Sequence, residues 1–396
     1  MSGHDHSWSV EEHAAHVADL LAPALAPRPE TIPVNDALGR VTSAAVLSPV
    51  DLPLFRNSQM DGFAVRSADV APAPTTLPIV GEVAARPSSP PDLAPGTAVR
   101  IMTGAVVPNG ADAVIPVEDT TSEGGTVTIS RGRSVGEFVR ERGSDLRTGD
   151  ELLPAGQRLA SRHLAVLAAA GLTEIAVIAR PRVSIITTGS ELVQPGATPV
   201  LGQVFDSNGT ALAAAVVAAG AVVAARAHVT DDPAELIAAL AVPADLVLTS
   251  GGISMGDYEV VRELLEPRGA RVGHVAMQPG GPQATAVWEG VPVICFPGNP
   301  VSTQLSFEVF VAPLLRTVAG LPQAVRERRQ LSEAVVSVAG RRQFLRGRAA
   351  EGGRVVIASG PGSHLVAGLA ASDLLVIIPE DVTALNAGDD VETWAL

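Results

Sequence analysis

The 396-residue chain contains no lysine; all 28 of its basic residues are arginine. Against 42 acidic residues they leave a formal net charge of −14, which argues against non-specific binding to nucleic acid or to an anionic membrane surface. Cysteine occurs once, at Cys295, so no intramolecular disulfide and no multi-cysteine zinc site can form. That residue lies in the apolar run Val291-Pro-Val-Ile-Cys-Phe296, where it reads as a buried small hydrophobe rather than a nucleophile. Aromatic residues make up 3% of the chain, so its cores must pack from aliphatics and alanine within a hydrophobic fraction of 46%. No run of about 18 apolar residues is long enough to span a bilayer. The N-terminus also lacks a secretory apolar segment, and a cytoplasmic protein is expected.

The length predicts two to four domains, at roughly 100–200 residues each. Residues 1–7 read as a disordered tail, and His4, His6, His13 and His16 as tail and helix-face residues rather than a ligand set. Ser9-Val-Glu-Glu12 resembles a capping box that opens a helix through about Leu25. From about Ser48 to Arg147, short β-prone runs alternate with Pro/Gly-rich turns, and Ser161–Ala170 then returns to helix. After Pro181, strands and helices alternate regularly up to a long helix over Asn299–Ala319, with Asp232-Pro233 as the cap and first position of one helix. Short strands follow beyond Pro322. The expected fold is multidomain α/β plus β. Residues 8–47 and 149–178 form a discontinuous helical N-terminal layer and 48–148 a β-rich insertion domain. Residues 179–321 form a three-layer α/β domain with a mostly parallel sheet, and 322–396 a β-rich C-terminal domain.

Within the α/β segment, four strand ends carry polar or glycine-rich loops. They are Thr187-Thr-Gly-Ser-Glu191, Asp206-Ser-Asn208, Ser250-Gly-Gly-Ile-Ser254 and Pro297-Gly-Asn-Pro300. A parallel sheet gathers such loops along its carboxyl edge, where open α/β folds bind ligands. One such loop is most simply an ordinary turn. Four together, with amides, hydroxyls and helix N-termini, suit a phosphate or oxyanion, and nearby acids suit Mg²⁺ bridging to phosphate oxygens. The insertion adds Ser58-Gln-Met-Asp61-Gly-Phe-Ala64, Arg100-Ile-Met-Thr103-Gly-Ala105 and Arg142-Gly-Ser-Asp145, each a plausible turn or a second wall of a cleft.

In order and in register, these motifs, with Ser250-Gly-Gly-Ile-Ser-Met-Gly256, Pro279-Gly-Gly-Pro282 and Phe296-Pro-Gly-Asn-Pro-Val-Ser302, resemble those of the molybdopterin molybdenumtransferase family. The resemblance covers about residues 8–396. It implies a homodimer whose active cleft lies between the α/β domain of one subunit and the insertion domain of its partner. The substrates would be molybdate and adenylylated molybdopterin, and the products the molybdenum cofactor and AMP. Asp61, Thr103 and Asp145 would face the cleft from the insertion; Glu191, Asp231 and Asp257 would face it from the α/β domain and hold Mg²⁺ or its waters. Phosphate or pterin would be cradled by Asp206, Asn208, Ser250, Gly251, Gly252, Ser254 and Gly256. Gln278, Pro279, Gly280, Pro282, Pro297, Gly298, Asn299 and Pro300 would complete the binding surface, and other cofactor-synthesis enzymes are possible partners.

One departure stands out. Many family members carry a Lys-Pro-Gly-Lys-Pro run in the anion pocket, and this chain has Gln278-Pro-Gly-Gly-Pro282. Positive charge must then come from arginine, a metal or helix dipoles. Two other readings compete with the transferase. A non-catalytic pterin-binding paralogue is favoured by Gln278. A molybdopterin adenylyltransferase shares the α/β unit but lacks the extra domains. The Arg341–Arg348 cluster reads as a solvated face with structural ion pairs.

Overall fold

The computed structural model describes residues 7–87, 89–253 and 259–396. Two compact units emerge, Met1–Pro29 with Ile178–Leu396, and Glu30–Val177.

In the first unit a seven-stranded sheet has the order Ser7–Trp8, Arg271–Val275, Pro282–Trp288, Val291–Phe296, Leu246–Ser250, Arg182–Thr188, Val222–Val229. Pro282–Trp288 runs against both of its neighbours, and the remaining adjacent pairs are parallel. The central strands are buried on both faces, which explains their continuous apolar sequences. Alternate residues feed two cores. Ile185, Leu248, Ile294 and Phe296 pack with Leu212, Val216, Val301 and Leu315 on one side, and Ile186, Val247, Val293 and Cys295 with Leu236, Leu240, Val261 and Leu264 on the other. The sheet is thus the middle of three layers, as expected. Cys295 is fully buried, and burial pushes its thiol up to about 12.

From Arg182–Thr188 the chain passes outward to the edge strand Val222–Val229 and then returns to Leu246–Ser250 on the other side. The crevice beyond the carboxyl ends of Arg182–Thr188 and Leu246–Ser250 is therefore a topological switch point. Helices open beside it at Asn208, Pro233 and Pro300. Asp232 caps the second of these through the Ala234 N–H (2.8 Å), with Pro233 at the first position.

The expected long C-terminal helix of this layer is interrupted. Helix Pro300–Ser306 passes through a π-helical turn, Phe307–Val311, into helix Ala312–Val318. Pro313 lacks the N–H that an α-helix would pair with residue 309, and the widened turn sits immediately before it.

Strands Arg326–Leu331, Arg342–Ala350, Arg354–Ser359, Leu374–Ile378 and Asp390–Ala395 close on themselves, because Leu374–Ile378 pairs with both Asp390–Ala395 and Arg342–Ala350. The short strand Met277–Gln278 pairs with the start of Arg342–Ala350, so the α/β segment adds one short strand to the C-terminal barrel.

Two expectations at the N-terminus change. Ser7 is no tail residue, since Ser7–Trp8 forms a parallel strand against His274 and Val275. The capping box of Ser9 and Glu12 is present, but the helix ends at Leu21 rather than Leu25. This helix packs Val17 and Leu21 into the first unit, so residues 8–29 do not join 30–47 in the discontinuous layer.

The second unit contains that layer and the insertion. Val34 and Ala37 share a core with Leu153, Leu159, Leu167, Ile175 and Val177. The insertion is built on a six-stranded sheet in the order Ala113–Pro116, Gly62–Val65, Ala98–Ile101, Thr75–Val83, Thr126–Ile129, Thr120–Glu123.

Candidate active site

A cavity of ≈ 560 Å³ opens at the switch point of the first unit. It is lined by Thr188, Glu191, Asp206, Asn208, Asp231 and the Ser250–Gly252 loop, together with Glu259, Gly298, Asn299 and Pro300. Three of the four anticipated loops are laced together beneath it. Asn208 Nδ2 donates to Ser250 Oγ (2.9 Å) and to the Gly298 carbonyl (2.7 Å). Ser250 Oγ lies 3.0 Å from Thr303 Oγ1, which donates to the Pro297 carbonyl at 2.6 Å. Asn208, Ser250 and Thr303 are buried, and a hydrogen-bonded network of this kind fixes loop geometry because breaking a buried member leaves an unpaired polar atom.

Glycine is required in the loop for two reasons. Gly251 has φ +99°, and a Cβ there would stand 2.7 Å from the Thr188 carbonyl and hydroxyl oxygens. The Thr188 hydroxyl is itself buried at the cavity wall without a hydrogen-bond partner among the described residues.

The carboxylates divide by task. Asp206 is spent on structure, since Oδ1 accepts from Gly209 N–H (2.9 Å) and Oδ2 from the Thr187 hydroxyl (2.9 Å), at 3% exposure. Asp231 accepts from Ser190 Oγ (2.5 Å) and remains exposed beside Glu191 in the cavity wall. Ser254, Gly256 and Asp257 lie outside the described residues. Among the described residues, no three His, Cys, Asp or Glu side chains cluster closely enough to hold a metal ion by themselves.

The residues grouped in sequence as one binding surface occupy two cavities. Gln278, Pro279, Gly280 and Pro282 line a second one, of ≈ 630 Å³, between the α/β segment and the C-terminal barrel. Its cationic lining comes from Arg341, with His274 and His364 nearby. Gln278 turns to the barrel, where its Oε1 accepts from Gln343 Nε2 (2.7 Å). The Pro279-Gly280-Gly281 loop is braced from behind by Gln283, which donates to the Gly280 carbonyl (2.8 Å) and to Ser306 Oγ (2.6 Å). Asn299 lines both cavities.

In the second unit, Asp61 and Thr103, which the sequence presents in separate motifs, are joined by hydrogen bonds. Asp61 Oδ1 accepts from the Thr103 N–H (2.7 Å) and hydroxyl (2.8 Å). Those two bonds, with Arg100 nearby, hold the Asp61 carboxyl below the usual carboxylate range. Gly62 is obligatory, because a Cβ there would sit 1.9 Å from the Ile115 carbonyl oxygen. Asp145 is exposed, and its N–H donates to the Leu52 carbonyl (2.9 Å).

Several lining residues escaped the sequence reading. Glu259 precedes helix Val260–Leu265, and its place just beyond the glycine loop was a usable signal. Ser363 and His364 reach the second cavity only because the barrel folds back, and nothing local marks them. The Arg341–Arg348 cluster splits three ways. Arg342 makes the anticipated ion pairs, with Glu11 and Glu380, whereas Arg341 lines the cavity and Arg346 is wholly buried.

Comparison with known proteins agrees along the whole length. Residues 8–171 match the MoeA N-terminal region (domain I and II), 184–317 the probable molybdopterin binding domain, and 328–396 the MoeA C-terminal region (domain IV). Molybdopterin molybdenumtransferase 2 of Mycobacterium tuberculosis is 42% identical over 98% of this chain and 99% of its own. The molybdopterin molybdenumtransferase of Synechococcus elongatus is 37% identical over 93% and 94%, respectively. A crystal structure of a molybdopterin biosynthesis MoeA protein from Pyrococcus horikosii superposes with a TM-score of 0.82 at 33% identity, covering 98% of this chain and 99% of that one. The chain belongs to the molybdopterin molybdenumtransferase family.

Proposed function

We propose that the chain inserts molybdate into adenylylated molybdopterin, releasing AMP and the molybdenum cofactor, and works as a cytoplasmic homodimer. The observation that carries this reading is the pair of cavities meeting at Asn299, one rich in amides, hydroxyls and carboxylates and the other holding Arg341.

In this reading the first cavity takes the phosphates and pterin. The Ser250–Gly252 loop and the helix openings at Asn208 and Pro300 present donors there, as helix N-termini do for anions. Glu191 and Asp231 are exposed on its wall, and two carboxylates suit Mg²⁺, which completes its shell with water and substrate phosphate. When bound, the ion would neutralise charge on the phosphoanhydride being cleaved. The second cavity takes molybdate, with Arg341 supplying the positive charge that Gln278 does not.

Asp61, Thr103 and Asp145 are assigned to the same site from the partner subunit's insertion. Thr103 keeps Asp61 ionised, so it presents an acceptor to a substrate donor or a bound water. Residues 48–148, 179–321 and 322–396 serve as the functional domains. The enzymes that supply the adenylylated substrate or receive the cofactor are the natural partners.

The test combines purified protein, adenylylated molybdopterin, molybdate and Mg²⁺, and follows AMP release and reconstitution of an apo-molybdoenzyme. Molybdate-dependent AMP release, lost in Asp61→Ala and Glu191→Ala, is the expected result. Tight binding without AMP release would favour the non-catalytic paralogue to which Gln278 points. Unchanged turnover in both variants would sink the site assignment.

A further inference from the structure

Asp51 stands where the chain enters the insertion, and both of its carboxylate oxygens are spent on the segment by which the chain leaves it. Oδ1 accepts from the Thr148 N–H (2.8 Å) and hydroxyl (2.9 Å), and Oδ2 accepts from Arg142 Nε (2.6 Å). Those donors, the Thr148 N–H foremost, hold the Asp51 carboxyl below the usual carboxylate range. Between the two anchored residues lies Asp145. Its surroundings are fixed through the backbone. The Asp145 and Leu146 N–H groups donate to the Leu52 carbonyl (2.9 and 3.0 Å), and the Leu52 N–H donates to the Leu146 carbonyl (2.7 Å). The Gly143 N–H donates to the Pro53 carbonyl (3.0 Å). None of these bonds engages the Asp145 carboxylate, which belongs to an exposed residue.

The backbone bonds alone would close the turn. The Asp51 carboxylate adds a clamp on both of its ends, so residues 143–147 span two fixed anchors. A neutral amide at this position could not do the same. It offers one acceptor oxygen, and its NH2 would confront either Arg142 Nε or the Thr148 donors, donor against donor. The Asp51 side chain is 21% exposed and that of Arg142 64%, so the arginine reaches in from the surface to complete the clamp. An exposed ion pair by itself orders little, and the two bonds from Thr148 supply the rest. Gly143 packs against the same carboxylate. It has φ +68°, and a Cβ there would come 3.4 Å from Asp51 Cγ.

We infer that Asp51 is a positioning residue for Asp145, holding the loop from Arg142 to Thr148 so that the Asp145 carboxylate is presented at a fixed place and angle. The inference rests on the assignment of Asp145 to the active cleft. Catalytic geometry tolerates little error, and a displacement of ~1 Å costs about a hundredfold in rate.

The experiment uses full-length protein and measures single-turnover AMP release from adenylylated molybdopterin with molybdate and Mg²⁺, together with amide hydrogen exchange over residues 142–150. The variants are Asp51→Asn, Asp145→Asn and the two combined, each checked for folding by circular dichroism. Asp51→Asn should raise exchange across the loop and slow AMP release about tenfold or more. In the Asp145→Asn background the same change should cost less than about twofold, because no carboxylate is left to misplace. A merely structural Asp51 would slow the reaction by the same factor in both backgrounds. Equal factors, or wild-type turnover in folded Asp51→Asn, overturn the inference. If Asp51→Asn does not fold, Thr148→Val, which removes only the hydroxyl bond, takes its place in the same cycle under the same criteria. Wild-type turnover in Asp145→Asn overturns the assignment of Asp145 and the inference with it, a failure recognised without any change at Asp51.

Discussion

Asn208 donates from one amide nitrogen to both the Ser250 hydroxyl, at 2.9 Å, and the Gly298 carbonyl, at 2.7 Å. One side chain at the start of a helix thus fixes two loops that follow other strands. Asn208→Ala leaves the buried Ser250 hydroxyl and the Gly298 carbonyl short of a donor. It should cost about 1–3 kcal/mol in urea unfolding and raise KM for the pterin substrate more than KM for molybdate.

Gly251→Ala should be worse for activity than for folding. The new Cβ must displace Thr188 or the loop, because φ +99° and a 2.7 Å approach leave it no room. A stability loss of about 1–3 kcal/mol with turnover reduced to background is expected, read from thermal melts and AMP release together.

His13 makes the first unit sensitive to acid. The ring is stacked on Trp8 with centroids 5.6 Å apart, meets Phe310 edge-on at 4.7 Å, and has no hydrogen-bond partner at either nitrogen among the described residues. Burial, helped by the nearby charges of His16 and Arg271, lowers its pKa from 6.5 to about 3. Between those values the unfolded chain holds a proton that the fold refuses. Its contribution is therefore complete above about pH 6.5 and is lost as pH falls toward about 3, by at most about 1.4 kcal/mol per pH unit. His13→Phe should flatten that part of the stability profile relative to wild type; parallel profiles would show that the ring is not the source.

The Cys295 thiol should be inert in the native protein. Its pKa is pushed up to about 12 by complete burial, so almost no thiolate exists at neutral pH. Labelling by a maleimide should follow unfolding alone, and its rate should track denaturant concentration in step with circular dichroism. Prompt labelling of folded protein would contradict the buried placement.

Thr103→Val removes the hydroxyl that helps hold Asp61 ionised while leaving the backbone N–H bond in place. The Asp61 pKa should rise toward the ordinary carboxylate range. The acidic limb of the rate profile should then move to higher pH, with kcat near wild type at pH 8. An unshifted limb would show that ionised Asp61 is not required.

Much of this architecture was legible in the sequence because it depends on local signals. Adjacent residues such as Ile185 and Ile186, which feed opposite cores, give the central strands their unbroken apolar character. Asp232-Pro233 and Ser9–Glu12 announce helix starts through capping chemistry that needs only neighbours. The glycine loop and the separate Asp61 and Thr103 motifs were visible, though neither their geometry nor the Asp61–Thr103 pairing was. What stayed hidden depends on distant chain segments. Nothing around Ser363 signals a cavity, since its position follows from a barrel closure that brings it to Val301. Gln278 read as a gap in an anion pocket, but its partner Gln343 lies on another strand and gives it a structural occupation. Helix Val10–Leu21 was grouped with the wrong layer because amphipathic spacing tells which face is buried but not what buries it.

Asn299, common to both cavities, makes the loop from Pro297 to Pro300 a shared wall. A ligand that settles this wall on one side alters the surface offered to the other. Linkage then demands symmetry: whatever factor molybdate contributes to pterin affinity, pterin must return to molybdate. The order in which the two are loaded would be a kinetic matter, with the same final complex and the same total free energy by either route.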